Sequence, residues 1–469
     1  MKVQEGWMTT AGERRDYGLY LFGQNIIYAL VTSFLAVYLS MQGISPVMAA
    51  PVLLVVKVWD AVNDVIFGGI FDRVKFKKGK FVPWLKISLP FIPLATVLMF
   101  AIPSVSITMK LVWFAAMYIL WDTAYTLCDV PIYGLITTMT SNLQERTAIM
   151  SYAKLYVGAG AALAYALGTL LVSQKVGLSY TTTALICSVL ALLSMAPISF
   201  RGKERNYDET EKEETFTFRQ MFSYMRQNKY LLIFYSALII NGCLNSAAGL
   251  GMFVSYYLFD NELFNLILGV LAMIPIVILA ILIPKMIKKV DKFKLYYWGC
   301  VLSTVIGIII YLVGYQNKTL FIVLNVLRAI PLAFPAFLMF MFTPDCAEYG
   351  QYKSGIDARG ITFAIQTFSA KLTSSISTPL GLALIGIFGF VSYEADSFAQ
   401  LSEMGATQTP EALRGLWITY ALIPMIGGVL MTIISWFYKL NDKDVQIMSD
   451  CNAGRITREE AEAMLSRKY

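Results

Sequence analysis

The chain has 469 residues, of which 57% are apolar and only 15% charged, with a net charge of +7 and no histidine. Soluble domains run at about 45–50% apolar and about 25% charged, so a single soluble domain, a disordered chain and a secreted disulfide scaffold are all excluded. The bilayer is the solvent to reason with, and each crossing of it takes about 20 residues.

Residues 1–16 are polar and lack a short apolar core with a small-residue cleavage site, so no removable signal peptide is expected. Apolar stretches of spanning length follow at 17–42, 46–71, 83–103, 109–140, 148–174 and 178–200. A charged interruption at 201–229 begins RGKERNYDETEKEETF and ends in an amphipathic stretch. Six more apolar stretches lie at 230–258, 263–284, 295–315, 319–343, 360–390 and 415–438. The expectation is an all-α membrane protein with twelve transmembrane helices in two six-helix halves, 1–200 and 230–440, joined by a cytoplasmic central loop, 201–229.

Lys and Arg crowd the loops that follow even-numbered spans, as in DRVKFKKGK and KMIKKVDKFK, and are sparse on the opposite side. By the positive-inside rule both termini lie in the cytoplasm of a multi-pass protein of the cell membrane. Span one starts 55 residues before its basic loop, 17 to 72, and span seven repeats that offset, 230 to 285. Parallel six-span repeats with a midplane site are one way secondary transporters are built. The tail, 441–469, carries Thr457 and Glu460 at capping-box spacing, which predicts a short solvated helix. Six scattered Cys without CxxC spacing suggest neither a disulfide frame nor a metal set.

Ionisable groups inside spans are costly, about 2.5–3.5 kcal/mol each on insertion scales, so each needs a partner or a task. Lys57, Lys154, Arg328 and Lys371 stand against Asp60, Asp64, Asp122 and Asp129. In span two, VVKVWDAVND puts Asp60 and Asp64 one turn apart, with Asn63 between them and Lys57 three residues before. Those oxygens suit a small cation; mutual repulsion making one acid a proton carrier is the alternative, and a purely structural Lys57–Asp60 pair is the third. In span four, Asp122, Tyr125, Thr126 and Asp129 share a stripe, and Tyr125 and Tyr133 offer faces on which a sugar ring stacks. Span eleven carries Gln366, Thr367 and Lys371 in a Ser/Thr-rich run. Without histidine, any coupled proton must ride on carboxylates.

WDAVND, KFKKGKFVPW, YTLCDVPIYGL and EYGQYKSGIDARG followed by QTFSAK recur in one order. In combination they resemble the glycoside-pentoside-hexuronide:cation symporter family of the major facilitator superfamily, over most of residues 17–440. The resemblance implies the major facilitator fold and a cation site at Asp60, Asn63, Asp64 and Thr126 for sodium, or else lithium or a proton. It also implies sugar contacts or a charge network at Asn25, Tyr125, Asp129, Tyr133, Lys154, Gln366, Thr367 and Lys371. Lys57, Asp122 and Arg328 fall in the charge network. Asn25 stands where the family's type member has a sugar-binding Asp, preceded by Gln24 rather than Lys. Tyr133 replaces Trp, Lys154 replaces Arg and Asp122 replaces Gly, so a galactoside site does not follow. The lost acid at Asn25 beside retained Lys154 and Lys371 makes room for an acidic sugar such as a glucuronide.

The expectation is therefore a monomeric symporter that uses a cation gradient to import a glycoside by alternating access. No cofactor and no nucleic-acid partner is expected. Asp72 and Arg73 in one half and Asp345, Glu348 and Arg359 in the other are expected to form a cytoplasmic gate. The competing readings are a proton-coupled carrier of another small solute and a non-transporting membrane sugar sensor. No nucleophile motif, metal set or phosphate loop points to an enzyme.

Overall fold

The computed structural model describes residues 7–74, 76, 79–205, 218–355 and 359–469; the side chains of Asp64, Asp72 and Arg73 lie outside the described residues. Helix is the dominant element, and there is no β-strand among the described residues. Hydrocarbon cannot satisfy a backbone N–H or C=O, so each spanning segment must bond to itself.

The first six helices are α1 (Ala11–Met41), α2 (Pro46–Arg73), α3 (Val82–Met99), α4 (Ile107–Met139), α5 (Leu143–Leu170) and α6 (Tyr180–Arg201). After the central segment come α7 (Phe218–Gln227), α8 (Lys229–Cys243), α9 (Gly251–Tyr257), α10 (Phe264–Met286) and α11 (Lys292–Val313). Then follow α12 (Lys318–Leu338), α13 (Phe342–Ser354), α14 (Arg359–Ile387), α15 (Phe398–Glu403), α16 (Pro410–Trp417), α17 (Ile423–Ser435), α18 (Asp442–Asn452) and α19 (Arg458–Met464). Side-chain caps set the starts: Thr10 and Glu13 form a capping box on α1, and Asn142, Ser179, Asn228, Asp291 and Asn317 cap α5, α6, α8, α11 and α12.

Every apolar stretch read from the sequence falls on one or more helices. Among the described residues ten helices are long and apolar enough to cross a membrane. Two of the expected spans miss that measure for different reasons. α2 has 28 residues, and several of them past Lys57 lie outside the described residues, so that only Pro46–Lys57 enters that measure. Span seven is interrupted: α8 ends at Cys243 and α9 starts at Gly251. Span twelve carries a π-helical turn, Ile418–Leu422, between α16 and α17. The expected loop at 344–359 is instead largely the helix α13, closed by Gly355 in the left-handed region at φ 73°. The tail folds as two helices where one was expected, and α19 carries the Thr457–Glu460 capping box.

The chain divides into two compact units. One comprises Met1–Lys212, Gly249–Leu266 and Leu382–Leu413; the other comprises Glu213–Ala248, Ile267–Gly381 and Arg414–Tyr469. In the first, α1 packs on α5 and α6, and α4 packs on α2 and α3. A methyl group at Gly160 would overlap the Phe22 carbonyl, and one at Gly23 would meet the Ala191 carbonyl, so α1 touches both neighbours backbone to backbone. Glu204, just beyond α6, accepts from the amides of Lys80, Phe81 and Val82 at 2.8–2.9 Å and so caps the start of α3. Lys110, near the start of α4, is buried there, donates to the Gln42 carbonyl at 3.0 Å and pairs with Glu394.

In the second unit α11 packs on α12 and α17, and α8 packs on α17. The tail is fastened to that unit. The Asp442 carboxylate accepts from the Lys292 amide and the Asp291 carboxylate from the Asp442 amide, both at 2.9 Å, and the Asp444 carboxylate accepts from Ser466, Tyr469 and Asn441.

Candidate functional site

In the first unit the packing of α2 against α4 assembles a polar cluster. Asn63 is fully buried, and its amide donates to the Thr126 hydroxyl at 2.8 Å and lies 3.4 Å from both the backbone and side-chain oxygens of Asp122. Thr126 donates in turn to the Asp122 carbonyl at 3.2 Å. The Asn63 carbonyl oxygen is buried and has no hydrogen-bond partner among the described residues, and such orphans are uncommon unless a ligand or ion completes them. Asp122 is near enough to Asp60 for the two acids to repel, and Asp129 also feels Asp60.

Lys57 rests its ammonium over the Tyr118 ring, 5.5 Å from the centroid. It contributes attraction to Asp60 and Asp122, but no close Lys57–Asp60 ion pair locks the helices among the described residues. This structural pairing, considered from sequence, is thus replaced by a cation over an aromatic face. Asp64, expected to join the cluster, has its side chain outside the described residues. Among the described residues no group of three or more His, Cys, Asp or Glu is arranged to hold a metal. The described donors are instead a mixture of carboxylate, amide and hydroxyl oxygens, which suits a hard cation.

Asp129 accepts from Gln24 at 2.6 Å. Gln24 was read only as a departure from the family pattern, whereas its neighbour Asn25, the expected sugar contact, donates back to the Leu21 carbonyl at 2.8 Å within α1. Tyr125 stacks on Trp121 with centroids 5.2 Å apart and lies 5.4 Å from the Tyr28 ring, while Tyr133 is exposed. Lys154 is exposed on α5.

The remaining sequence candidates lie in the second unit. Gln366 accepts from the Thr343 hydroxyl at 2.5 Å, and Thr343 also pairs with Tyr235 at 2.6 Å, so the Gln366 carbonyl is engaged. Thr367 is exposed and donates to the Phe363 carbonyl of its own helix, and Lys371 is half-buried one turn on. Arg328, on α12, borders a cavity of about 280 Å³ between α8, α11, α12 and α17.

Of the expected gate residues, Asp345, Glu348 and Arg359 have partners within the second unit. Asp345 pairs with Lys292 at 2.7 Å, and Glu348 accepts from Arg359 at 3.1 Å and from Asn452 at 2.8 Å, all within the second unit. The basic start of α11 and the docked tail supply these charges and donors. Asp72 and Arg73 lie outside the described side chains.

Residues 16–442 match the family of MFS/sugar transport proteins. The chain is 29% identical to the uncharacterized symporter YjmB of Bacillus subtilis, with 93% of this chain and 94% of that protein covered. It is 25% identical to the isoprimeverose transporter of Lactiplantibacillus pentosus, covering 94% of this chain and 91% of that one. It is 24% identical to the glucuronide carrier protein homolog of Escherichia coli, covering 94% of each. Among solved structures it shares its fold with the nucleoside transporter NupG at a TM-score of 0.61 and 13% identity, covering 91% of this chain and all of that one, 100%.

Proposed function

The chain belongs to the MFS/sugar transport protein family, and from that premise we propose that it is a cation-coupled symporter importing a glycoside through the cell membrane by alternating access. Both termini face the cytoplasm, and the working unit is a monomer. The observation that carries the coupling is the buried Asn63–Thr126–Asp122 cluster with its orphaned amide oxygen beside Asp60. A sodium ion placed there would gain carboxylate, amide and hydroxyl oxygens and relieve the repulsion between Asp60 and Asp122. Asp129, which shares a helix with Thr126 and accepts from Gln24 of α1, links that ion to the sugar. Occupancy of either site then favours the other, and the coupling is reciprocal.

Named relatives include an isoprimeverose transporter and a glucuronide carrier homolog, which supports a sugar-sized solute, neutral or acidic. The test is uptake into proteoliposomes. Accumulation of a glycoside driven by an inward sodium gradient, and absent without one, supports the reading. Accumulation driven only by an inward proton gradient favours the second reading, which the closeness of Asp60 and Asp122 supports: two neighbouring acids share a proton readily. Ligand binding with no accumulation under any gradient identifies a sensor.

A further inference from the structure

The second unit holds a cavity that the cation site does not use. Arg328 borders it from α12, with Tyr420 nearby, and among the described residues its one hydrogen bond runs from Nε to the Ser303 carbonyl at 3.1 Å. The guanidinium forms no ion pair with any acid among the described residues. The side-chain amides of Asn241 and Asn245 and the Thr304 hydroxyl line the same space and make no hydrogen bond among the described residues. Apolar walls come from Leu238, Tyr296 and Met431.

The backbone around the cavity is broken in two ways. Asn241 and Asn245 flank the point where α8 stops and span seven unwinds, and Pro424 and Met425 follow the π-helical turn of span twelve. Interrupted helices and π turns cluster at binding sites because irregular backbone is tolerated in a membrane only where it lines a cavity or is packed in protein.

A permanent guanidinium charge excludes a cation from this space and leaves its Nη groups seeking a planar oxyanion, which they grip in bidentate fashion. The amides and hydroxyl add neutral donors suited to a polyol, and a cavity of about 280 Å³ is of monosaccharide scale. We propose that the Arg328 cavity is the subsite for the carboxylate or sulfonate of an acidic sugar, with Asn241, Asn245 and Thr304 binding the adjoining hydroxyls. The proposal rests on the transport reading for the ligand being a solute carried by the protein, and it assigns the solute's charge to Arg328 rather than to Lys154 or Lys371.

The test titrates the purified full-length protein with methyl glucuronide, a 6-sulfonated methyl glucoside and methyl glucoside, and separately with phosphatidylglycerol. Wild type should bind the two acids more tightly than the neutral glucoside. Arg328→Gln should weaken acid binding about ten- to a hundredfold, the span commanded by a charged hydrogen-bonded pair, and leave the neutral glucoside nearly unchanged, while Arg328→Lys restores part of the loss. Asn245→Asp supplies an internal counter-charge, so it should abolish the preference for acids while keeping the unliganded melting temperature at or above that of wild type. Equal affinity for acid and neutral sugars, or an unchanged acid affinity in both Arg328→Gln and Asn245→Asp, overturns the proposal. So does stabilisation by phosphatidylglycerol with neither acid binding. Arg328-dependent acid binding without gradient-driven uptake sinks the transport reading and leaves the subsite standing; gradient-driven uptake of the neutral glucoside alone does the reverse.

Discussion

The polar clusters of the two units are electrostatic opposites. Between α2 and α4, Asp60, Asp122 and an unpaired amide oxygen of Asn63 gather with one ammonium, Lys57, drawn onto an aromatic ring. Around the cavity beside α12, a lone guanidinium is surrounded by neutral amides and a hydroxyl. Either unit could have neutralised its own charges with a well-placed partner at little cost in sequence. Among the described residues neither does, and on the readings proposed above a cation completes the first and an oxyanion the second.

The strongest way to break that contrast is to remove the acids. Asp60→Asn together with Asp122→Asn should abolish sodium-dependent thermal stabilisation, and a retained shift would show that the ion binds elsewhere. Asp129→Asn should weaken both sodium and glycoside binding, about tenfold each, since it removes a charge shared by the two; loss confined to one ligand would separate the sites. Asn63→Ala removes the donor to Thr126 and the orphaned oxygen. Stability should fall by about 1–3 kcal/mol, the range for disturbing a buried polar contact, with sodium binding lost as well. An unchanged sodium titration would make Asn63 a packing residue only.

The smallest effect belongs to the tail. Burial alone would push the Asp444 carboxyl up, but hydrogen bonds from Ser466, Tyr469 and Asn441 outweigh it and hold it below the usual aspartate range. Its contribution to tail docking is therefore complete above the ordinary pKa of about 3.9 and is lost as pH falls through the lower folded value. Asp444→Asn should release α18 and α19 to proteolysis at neutral pH without altering either ligand titration. A protease-resistant tail in that variant would show that the Asp291–Asp442 caps suffice.

Much of this architecture was legible in the residues. The span positions follow from apolar run length, and the Thr457–Glu460 box was readable because a cap is a local device. Asp122, Thr126 and Asp129 were placed on one stripe by helical spacing alone, and two of them do meet Asn63. What stayed hidden depends on tertiary neighbours. Gln24 carries no charge to draw notice, yet it holds Asp129. Asn241, Asn245 and Thr304 acquire meaning only beside Arg328. The small-residue run NGCLNSAAGLG in span seven signalled the interruption, but hydropathy averaged over it. α13 was read as loop because EYGQYK is polar, although Phe342, Cys346, Tyr349 and Tyr352 recur at helical spacing and are buried in the core of the second unit.

The contact of α1 with α5 and α6 at Gly23 and Gly160 has a mechanical consequence. Helices that touch main chain to main chain have no compressible layer between them, so they cannot slide past one another or breathe singly. Whatever exchange of ions the acids beside α1 support, these three rods travel as one rigid plate, and the bending has to be absorbed where the backbone is already irregular.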